Sequence, residues 1–288
     1  MSIKSKGILA VIISATIFGS MPLMAKIVYE AGGNAISLTF YRFLMILPFL
    51  YLLIKKNEKE TIKITKEEFK KISFVGTLGY GATALLLYLS YNYIPSGMAT
   101  TIHFIYPIFV ILGCILFFKE KPSLIKIIAV ILCLLGVLMF YDGNGEINFL
   151  GIFLSFASSI TFAFYTVYLD KSGLKQISTI KLTFYLCLIA SIMMLIFSIA
   201  TRTFTINMEP LGWLMTLLLS LSVGLGVNFF QMGIKIVGPQ STSILSTFEP
   251  ITSVIIGVLI LNESFGIKTF LGIGLILLAV ILISIFDK

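Results

Sequence analysis

The chain has 288 residues, 58% of them hydrophobic and only 12% charged, with a formal net charge of +8. A soluble domain is about half apolar and a quarter charged, so this excess exceeds what one core absorbs and points to lipid as the solvent. The positive charge does not indicate nucleic acid, because the lysines cluster between apolar runs, as in the loops of a membrane protein.

In chain order, the N-terminal stretch MSIKSKGILAVIISATIFGS starts like a secretory leader. Its apolar run passes about twenty residues and lacks a small-x-small cleavage pattern, so a retained first helix is predicted. Apolar runs bounded by charge or turn residues follow at 7–28, 36–54, 73–92, 98–118, 125–141, 149–168, 181–200, 212–234, 240–261 and 267–286. Each is close to the roughly 20 residues that a tilted helix needs to cross a bilayer. The predicted fold class is therefore an all-α integral membrane protein with ten transmembrane helices. Cys114, Cys133 and Cys187 lie inside apolar runs and read as small packing residues, not as a disulfide or metal set.

Orientation follows from the basic residues. If the N-terminus is inside, almost all of the 21 lysines and arginines fall on the inner side. Lys26, Arg202 and Lys268 are the exceptions on the outer side, and Arg42 lies within the second run. Both termini are thus predicted to be cytoplasmic, in the plasma (inner) membrane. The polar stretch from Lys55 to Lys71 lacks Pro and Gly and is expected to carry a short surface helix that faces anionic lipid.

The chain also matches itself at half its length. GILAVIISATIF (7–18) aligns with GIFLSFASSITF (151–162), and TFY recurs at 39–41 and 183–185. YPIFVILGCILFFKE (106–120) aligns with EPITSVIIGVLILNE (249–263), pairing Pro107 with Pro250 and Glu120 with Glu263. Two repeats are read, 1–142 and 149–288. Each holds five spans, an odd number, so the second enters the membrane from the opposite side; such inverted repeats build many secondary transporters around a site near the midplane.

YNYIPSGMATTIHFIYPIFVILGCILFFKEKPS and GIKIVGPQSTSILSTFEPITSVIIGVLILNESFG resemble the two copies of the EamA domain, which defines EamA-type members of the drug/metabolite transporter superfamily. The resemblance covers essentially the whole chain. It implies a central cavity lined by spans one to four and six to nine, with spans five and ten at the periphery. The composition of spans five and ten agrees: both are almost uniformly aliphatic.

Glu249 is the deep acid. It lies about 14 Å from the inner end at 1.5 Å per residue, where a bare charge costs several kcal/mol unless paired, hydrated or protonated. It reads as a proton-titrating or cation-attracting group, or as a carboxyl that locks the helix to a neighbour. Pro250 beside it and Pro107 in the first repeat are expected kinks or hinges. Arg42, after Tyr41 and about 9 Å below the outer surface, would either snorkel outward or reach Glu249, directly or through a substrate carboxylate. His103 shares a helical face with Thr100 and Pro107, as Ser246 does with Ser243 and Pro250. The two faces are expected to oppose each other, with His103 either proton-coupled or a packing residue. Asn228 and Gln231 orient a ligand or bridge helices. Tyr88, Tyr165 and Tyr185 add aromatic surface, and the glycines of GTLGYGA (76–82) and SVGLGV (222–227) allow close helix approach.

The functional reading is a secondary transporter that moves a small metabolite by alternating access, an amino acid or related compound, in the direction of efflux. Arg42 would meet a carboxylate and Glu249 an ammonium or a proton. The expected partners are a small-molecule substrate, protons and the lipid bilayer, in a monomer or weak homodimer; no cofactor, metal or nucleic acid is expected. A nucleotide-sugar or drug carrier is the alternative among transporters. An integral-membrane enzyme or lipid-handling protein is the alternative outside them, although CxxC, HExxH, GxSxG and GxxxxGK[ST] motifs are missing from the sequence.

Overall fold

The computed structural model describes residues 2–56, 61–94, 96–121, 123–139, 148–261 and 266–286. Among them there is no strand. The helices in chain order are α1 (Ile3–Glu30), α2 (Ala35–Leu44), α3 (Leu47–Lys56), α4 (Lys66–Val75), α5 (Ala82–Ser90), α6 (Ser96–His103), α7 (Tyr106–Phe118), α8 (Leu124–Leu138), α9 (Phe149–Lys171), α10 (Thr179–Ala200), α11 (Pro210–Leu245), α12 (Phe248–Leu261) and α13 (Ile267–Phe286). Among the described residues eight segments are long and apolar enough to cross a membrane: Ile3–Glu30, Ala35–Lys56, Lys66–Ser90, Met98–Phe118, Phe149–Lys171, Thr179–Ala200, Pro210–Leu245 and Ile267–Phe286. Leu124–Leu138 and Phe248–Ile260 are apolar but shorter.

The 36 residues of α11 would extend about 54 Å as one rod, well beyond a hydrocarbon layer of roughly 30 Å. Gly238 divides them. Its φ of 80° and ψ of 169° are open to glycine and strained for other residues, and Pro239 follows at once. The chain doubles back there: a side-chain carbon at Gly233 would lie 3.3 Å from the Thr242 hydroxyl. Residues 210–237 and 239–261 thus form a hairpin with no loop.

Three spans are interrupted by a two-residue turn shortly before a proline: Met45–Ile46 before Pro48, Phe104–Ile105 before Pro107, and Ser246–Thr247 before Pro250. Proline supplies no N–H and its ring crowds the carbonyl four residues back, so the ladder loosens at that place. Tighter bonds fill in, among them Ile108 N–H to Ile105 O at 3.0 Å and Glu249 N–H to Ser246 O at 3.0 Å. The third span carries a different irregularity, a π-helical segment over Gly76–Gly81. Pro22, by contrast, sits inside an unbroken α1.

Helix packing places α1 against α11 and α12. The Ser14 hydroxyl donates to Gly226 O at 2.7 Å, and Ser253 of α12 donates to Gly19 O at 2.8 Å. In the same way α9 packs on the third and fourth spans: Thr161 meets Thr83 of α5 at 2.8 Å, and Ser158 meets His103 of α6 at 2.9 Å. A third pairing sets α10 against α2 and α3. α8 and α13 pair with each other, with Gly136 close against Ile276, and show rows of exposed Ile, Leu and Phe, such as Ile131, Leu135, Leu271 and Ile285.

The stretch from Lys55 to Lys71 departs from expectation. Residues 57–60 lie outside the described residues, and 61–65 are not helical. The helix that starts at Lys66, capped by Thr65 and Glu68, is the beginning of the third span and not a separate surface helix. Residues 61–65 instead lie on α10, where Tyr185 donates to Ile62 O and Lys181 to Lys63 O, both at 2.7 Å.

Among the described glycines, Gly19 makes the closest approach to backbone. A side-chain carbon there would come within 2.5 Å of the Glu249 carbonyl oxygen and 2.6 Å of Thr252 Cβ. Backbone cannot yield as a side-chain tip can, so Gly19→Ala is expected to lower stability by about 1–3 kcal/mol. A reduced thermal midpoint of the detergent-purified variant, with Gly274→Ala in open space as the control, checks this.

Candidate functional site

The interrupted spans meet in the middle of the bundle. Tyr106, the first residue of α7, is 1% exposed. Its hydroxyl donates to Ser243 O at 3.2 Å and contacts Ser246 Oγ. Ser246 in turn donates to Ser243 O at 3.0 Å, Ser243 to Gln240 O at 2.7 Å, and Thr247 to Ile244 O at 2.6 Å. The carbonyls released around the Ser246–Thr247 turn are thus satisfied by hydroxyls, as a low-dielectric interior requires. Cys133 of α8 joins them, 3.0 Å from Thr247 Oγ1. It therefore does more than fill space.

Glu249 follows this turn at the start of α12. Its side chain is half-buried while its neighbours from Ser241 to Thr247 are buried. Tyr91 and Tyr106 lie within electrostatic reach of it. Among the described residues its carboxylate has no ion-pair partner.

Arg42 is 6% exposed and does not reach Glu249. Its Nη1 donates to the Tyr88 hydroxyl at 2.7 Å, and the guanidinium lies 4.4 Å from the Tyr88 ring centre and 4.8 Å from that of Phe43. The direct Arg42–Glu249 pair is thus replaced by an aromatic cradle. Snorkelling is not seen either, since the residue is buried. Tyr91 is within electrostatic range of both charges, with its ring 5.3 Å from that of Tyr88 and its hydroxyl 3.5 Å from Thr100 Oγ1. Tyr29 of α1 faces the same group of Tyr88, Tyr91 and Arg42.

The other sequence candidates separate into two sets. Tyr165 and Gln231 stay near the centre: Gln231 Nε2 lies 3.5 Å from the Tyr165 hydroxyl, and Tyr165 stacks on Phe162 and Phe230. Tyr41 turns outward, donating to Thr205 O at 3.2 Å and packing on Trp213. Tyr185 holds the 61–65 segment, and Asn228 accepts from Thr179 at 2.8 Å, bridging α11 and α10. His103 faces Ser158 and the Phe162 ring and not the span interrupted at Ser246–Thr247. Ser158 spends its own proton on Ser155 O at 2.6 Å, so the His103 Nδ1–H is the donor between them. The expected shared face of Thr100, His103 and Pro107 is broken by the turn at 104–105, which rotates the two halves of the span.

At the end bearing most of the lysines a polar cluster joins four segments. Glu120 pairs with Lys171 at the end of α9 and accepts from Gln240 Nε2 at 2.8 Å. Asp170 holds Lys171 at 3.0 Å and Lys175 at 2.7 Å. Lys119, in left-handed conformation at φ 54°, ends α7 and turns Glu120 back, its N–H bonding Cys114 O at 3.1 Å. Sequence reasoning singled out Glu120 only as a repeat anchor. Tyr29, Tyr91 and Lys171 went unnoticed, because tyrosine and lysine are common in this chain and nothing local marks these three.

Apolar helices that cross one another through proline-linked interruptions, with an arginine and a glutamate held among them, make a multi-pass membrane transporter. The chain belongs to the EamA-like transporter family, whose profile matches residues 5–141 and 149–285. It is 25% identical over 98% of its length to an uncharacterized transporter of Synechocystis, covering 94% of that protein. It is also 26% identical to the uncharacterized inner membrane transporter YicL of Salmonella typhimurium, across 97% of this chain and 95% of that one. A crystal structure described only as that of a protein superposes with a TM-score of 0.84 over 97% of this chain and 98% of the other; at 13% identity this likeness shows the fold.

The Tyr106 contact gives a prediction. Tyr106→Phe and Ser246→Ala are each expected to cost about 1 kcal/mol. Because they share one network, the double variant should cost less than the sum by at least ~0.5 kcal/mol, as measured by denaturation in a folding-competent detergent.

Proposed function

We propose that the protein is a secondary transporter of ten spans in two inverted repeats, residues 1–142 and 149–288, that exports an amino acid or related small metabolite by alternating access. The observation that carries this reading is the crossing of two of the interrupted spans: Tyr106 of one caps the broken backbone of the other beside Glu249. The count of ten takes the Gly238 hairpin as two crossings and includes the short helices α8 and α12. The exchanged packing, α1 with α11 and α12, and α9 with the third and fourth spans, supports a two-fold relation between halves. Lysine asymmetry supports cytoplasmic termini, and a relative named for the inner membrane supports that location.

In this reading Arg42 takes a substrate carboxylate, Glu249 an ammonium or a proton, and Tyr88, Tyr91 and Tyr165 the side chain. The relatives' transporter names favour a carrier over a membrane enzyme. The Glu120–Lys171–Gln240 cluster is the inner gate in its closed form, since it ties the cytoplasmic ends of spans four, six and nine.

Two outcomes test the mechanism. In proteoliposomes offered a radiolabelled mixture of the common amino acids, Glu249→Gln should lose flux driven by an imposed pH gradient and retain exchange. Unchanged flux at every pH would assign Glu249 to helix locking. In inside-out vesicles, Glu120→Gln should raise alkylation of the buried Cys114 by a membrane-impermeant maleimide several-fold in a background with Cys133 and Cys187 replaced by serine; equal labelling would remove the gate.

A further inference from the structure

We infer that Arg42, Tyr29 and Tyr88 form a seat for one carboxylate group of the substrate, and that this seat selects a monocarboxylate over a phosphate. The inference rests on the transporter reading and deepens it, since it adds Tyr29 to the site and fixes the charge of the group bound.

The first support is an imbalance of charge. A buried guanidinium costs several kcal/mol unless an anion and hydrogen-bond acceptors compensate. Arg42 is 94% withdrawn from solvent by its 6% exposure, yet it takes part in none of the ion pairs among the described residues. Its one hydrogen bond goes to a neutral phenol, and its two ring contacts supply only part of what water gave. The basic residues at the lysine-rich end are handled differently: Lys171 and Lys175 share Asp170. Among the described residues Lys71, Lys171 and Lys175 have acids, and the buried Arg42 has none.

Unused donors provide the second support. Arg42 Nε is buried and has no hydrogen-bond partner, and the Tyr29 hydroxyl is buried and has none either. Arg42 is bonded to Tyr88, and Tyr29 and Tyr91 pack on the same cluster as Tyr88, with Tyr29 within electrostatic range of Arg42. A buried donor without an acceptor costs about 1–3 kcal/mol, so two in one place mark a position for an acceptor that arrives from outside the chain. Tyr88 holds Nη1, which leaves the Nε edge of the fork presented. A planar two-oxygen acceptor matches that edge, and a phenol O–H beside it can complete the second oxygen.

Charge then limits what fits. One guanidinium neutralises one negative charge, and no second cation pairs with it among the described residues. A carboxylate carries a single charge. A phosphate monoester carries close to two near neutral pH, and a nucleotide sugar has two phosphate groups; both would leave negative charge uncompensated in a low-dielectric space.

The test uses the purified full-length protein and a panel of the common amino acids, simple monocarboxylates, the matching carboxamides and phosphorylated analogues. At least one carboxylate is expected to raise the melting temperature, with its carboxamide and phosphorylated analogue failing to do so. Tyr29→Phe should weaken that carboxylate by roughly 10- to 100-fold, the value of a hydrogen bond to a charged group. Arg42→Gln and Arg42→Lys should abolish its effect, the second because it keeps charge and loses the fork. Arg42 and Arg202 are the two arginines of the chain. With the exposed Arg202 replaced by lysine, the same carboxylate should therefore protect against phenylglyoxal, a readout that needs no change at the seat. The proposal is overturned if no carboxylate stabilises the protein, if amide and acid bind alike, if a phosphorylated analogue binds more tightly, or if phenylglyoxal modification is unprotected. Carriage of a solute without a carboxylate, unaffected by Arg42→Gln, would remove the seat and leave the transporter reading intact.

Discussion

Backbone polar groups in a bilayer must find partners inside the protein, and three spans of this chain give up part of their helical ladder at mid-depth. What replaces those bonds organises the interior. At Ser246–Thr247 the replacements are side-chain hydroxyls, and one of them, Tyr106, comes from another interrupted span. The defect in one helix is thus repaired by the defect in a second, which brings both to the same place. Glu249 follows directly, because the turn that frees the carbonyls also sets the direction in which α12 leaves. A continuous helix would have sent that carboxyl elsewhere.

The two deep charges are managed by aromatic groups instead of by each other. Arg42 lies in a cradle of Tyr88 and Phe43, and Tyr91, packed near Tyr88, is within electrostatic range of both Arg42 and Glu249. A direct ion pair would have been compact and self-satisfied, with little capacity to receive anything. Separation leaves both charges with unmet electrostatic demand. Polar ties between helices, such as Ser14 to Gly226 O and Thr83 to Thr161, carry the rigidity that the separated charges cannot.

Much of the fold could be read from residues. The apolar runs mark the spans because lipid imposes a length, and Pro107 and Pro250 mark interruptions because proline removes a donor wherever it sits. The bland composition of the fifth and tenth runs matched their exposed rows of aliphatic side chains. Less of the site was legible. Helical periodicity assigns side chains to faces only while the helix is continuous, so the turn at 104–105 undid the shared face of Thr100, His103 and Pro107. Tyr41 and Tyr185 looked like candidates beside charged or repeated residues, yet each serves a loop carbonyl, which depends on where segments distant in sequence come to rest. Tyr29 carries no local mark at all; only the missing partner of its hydroxyl singles it out. The π-helical turn at Gly76–Gly81 was hidden for a related reason, since its glycines announce closeness but not the extra residue per turn.

The hairpin at Gly238 bears on how the chain moves. With no linker between 237 and 239, the two limbs of the hairpin share one residue as their turn, so neither can move far in the bilayer without the other. α1, which is hydrogen-bonded to both limbs, is the surface on which the pair settles.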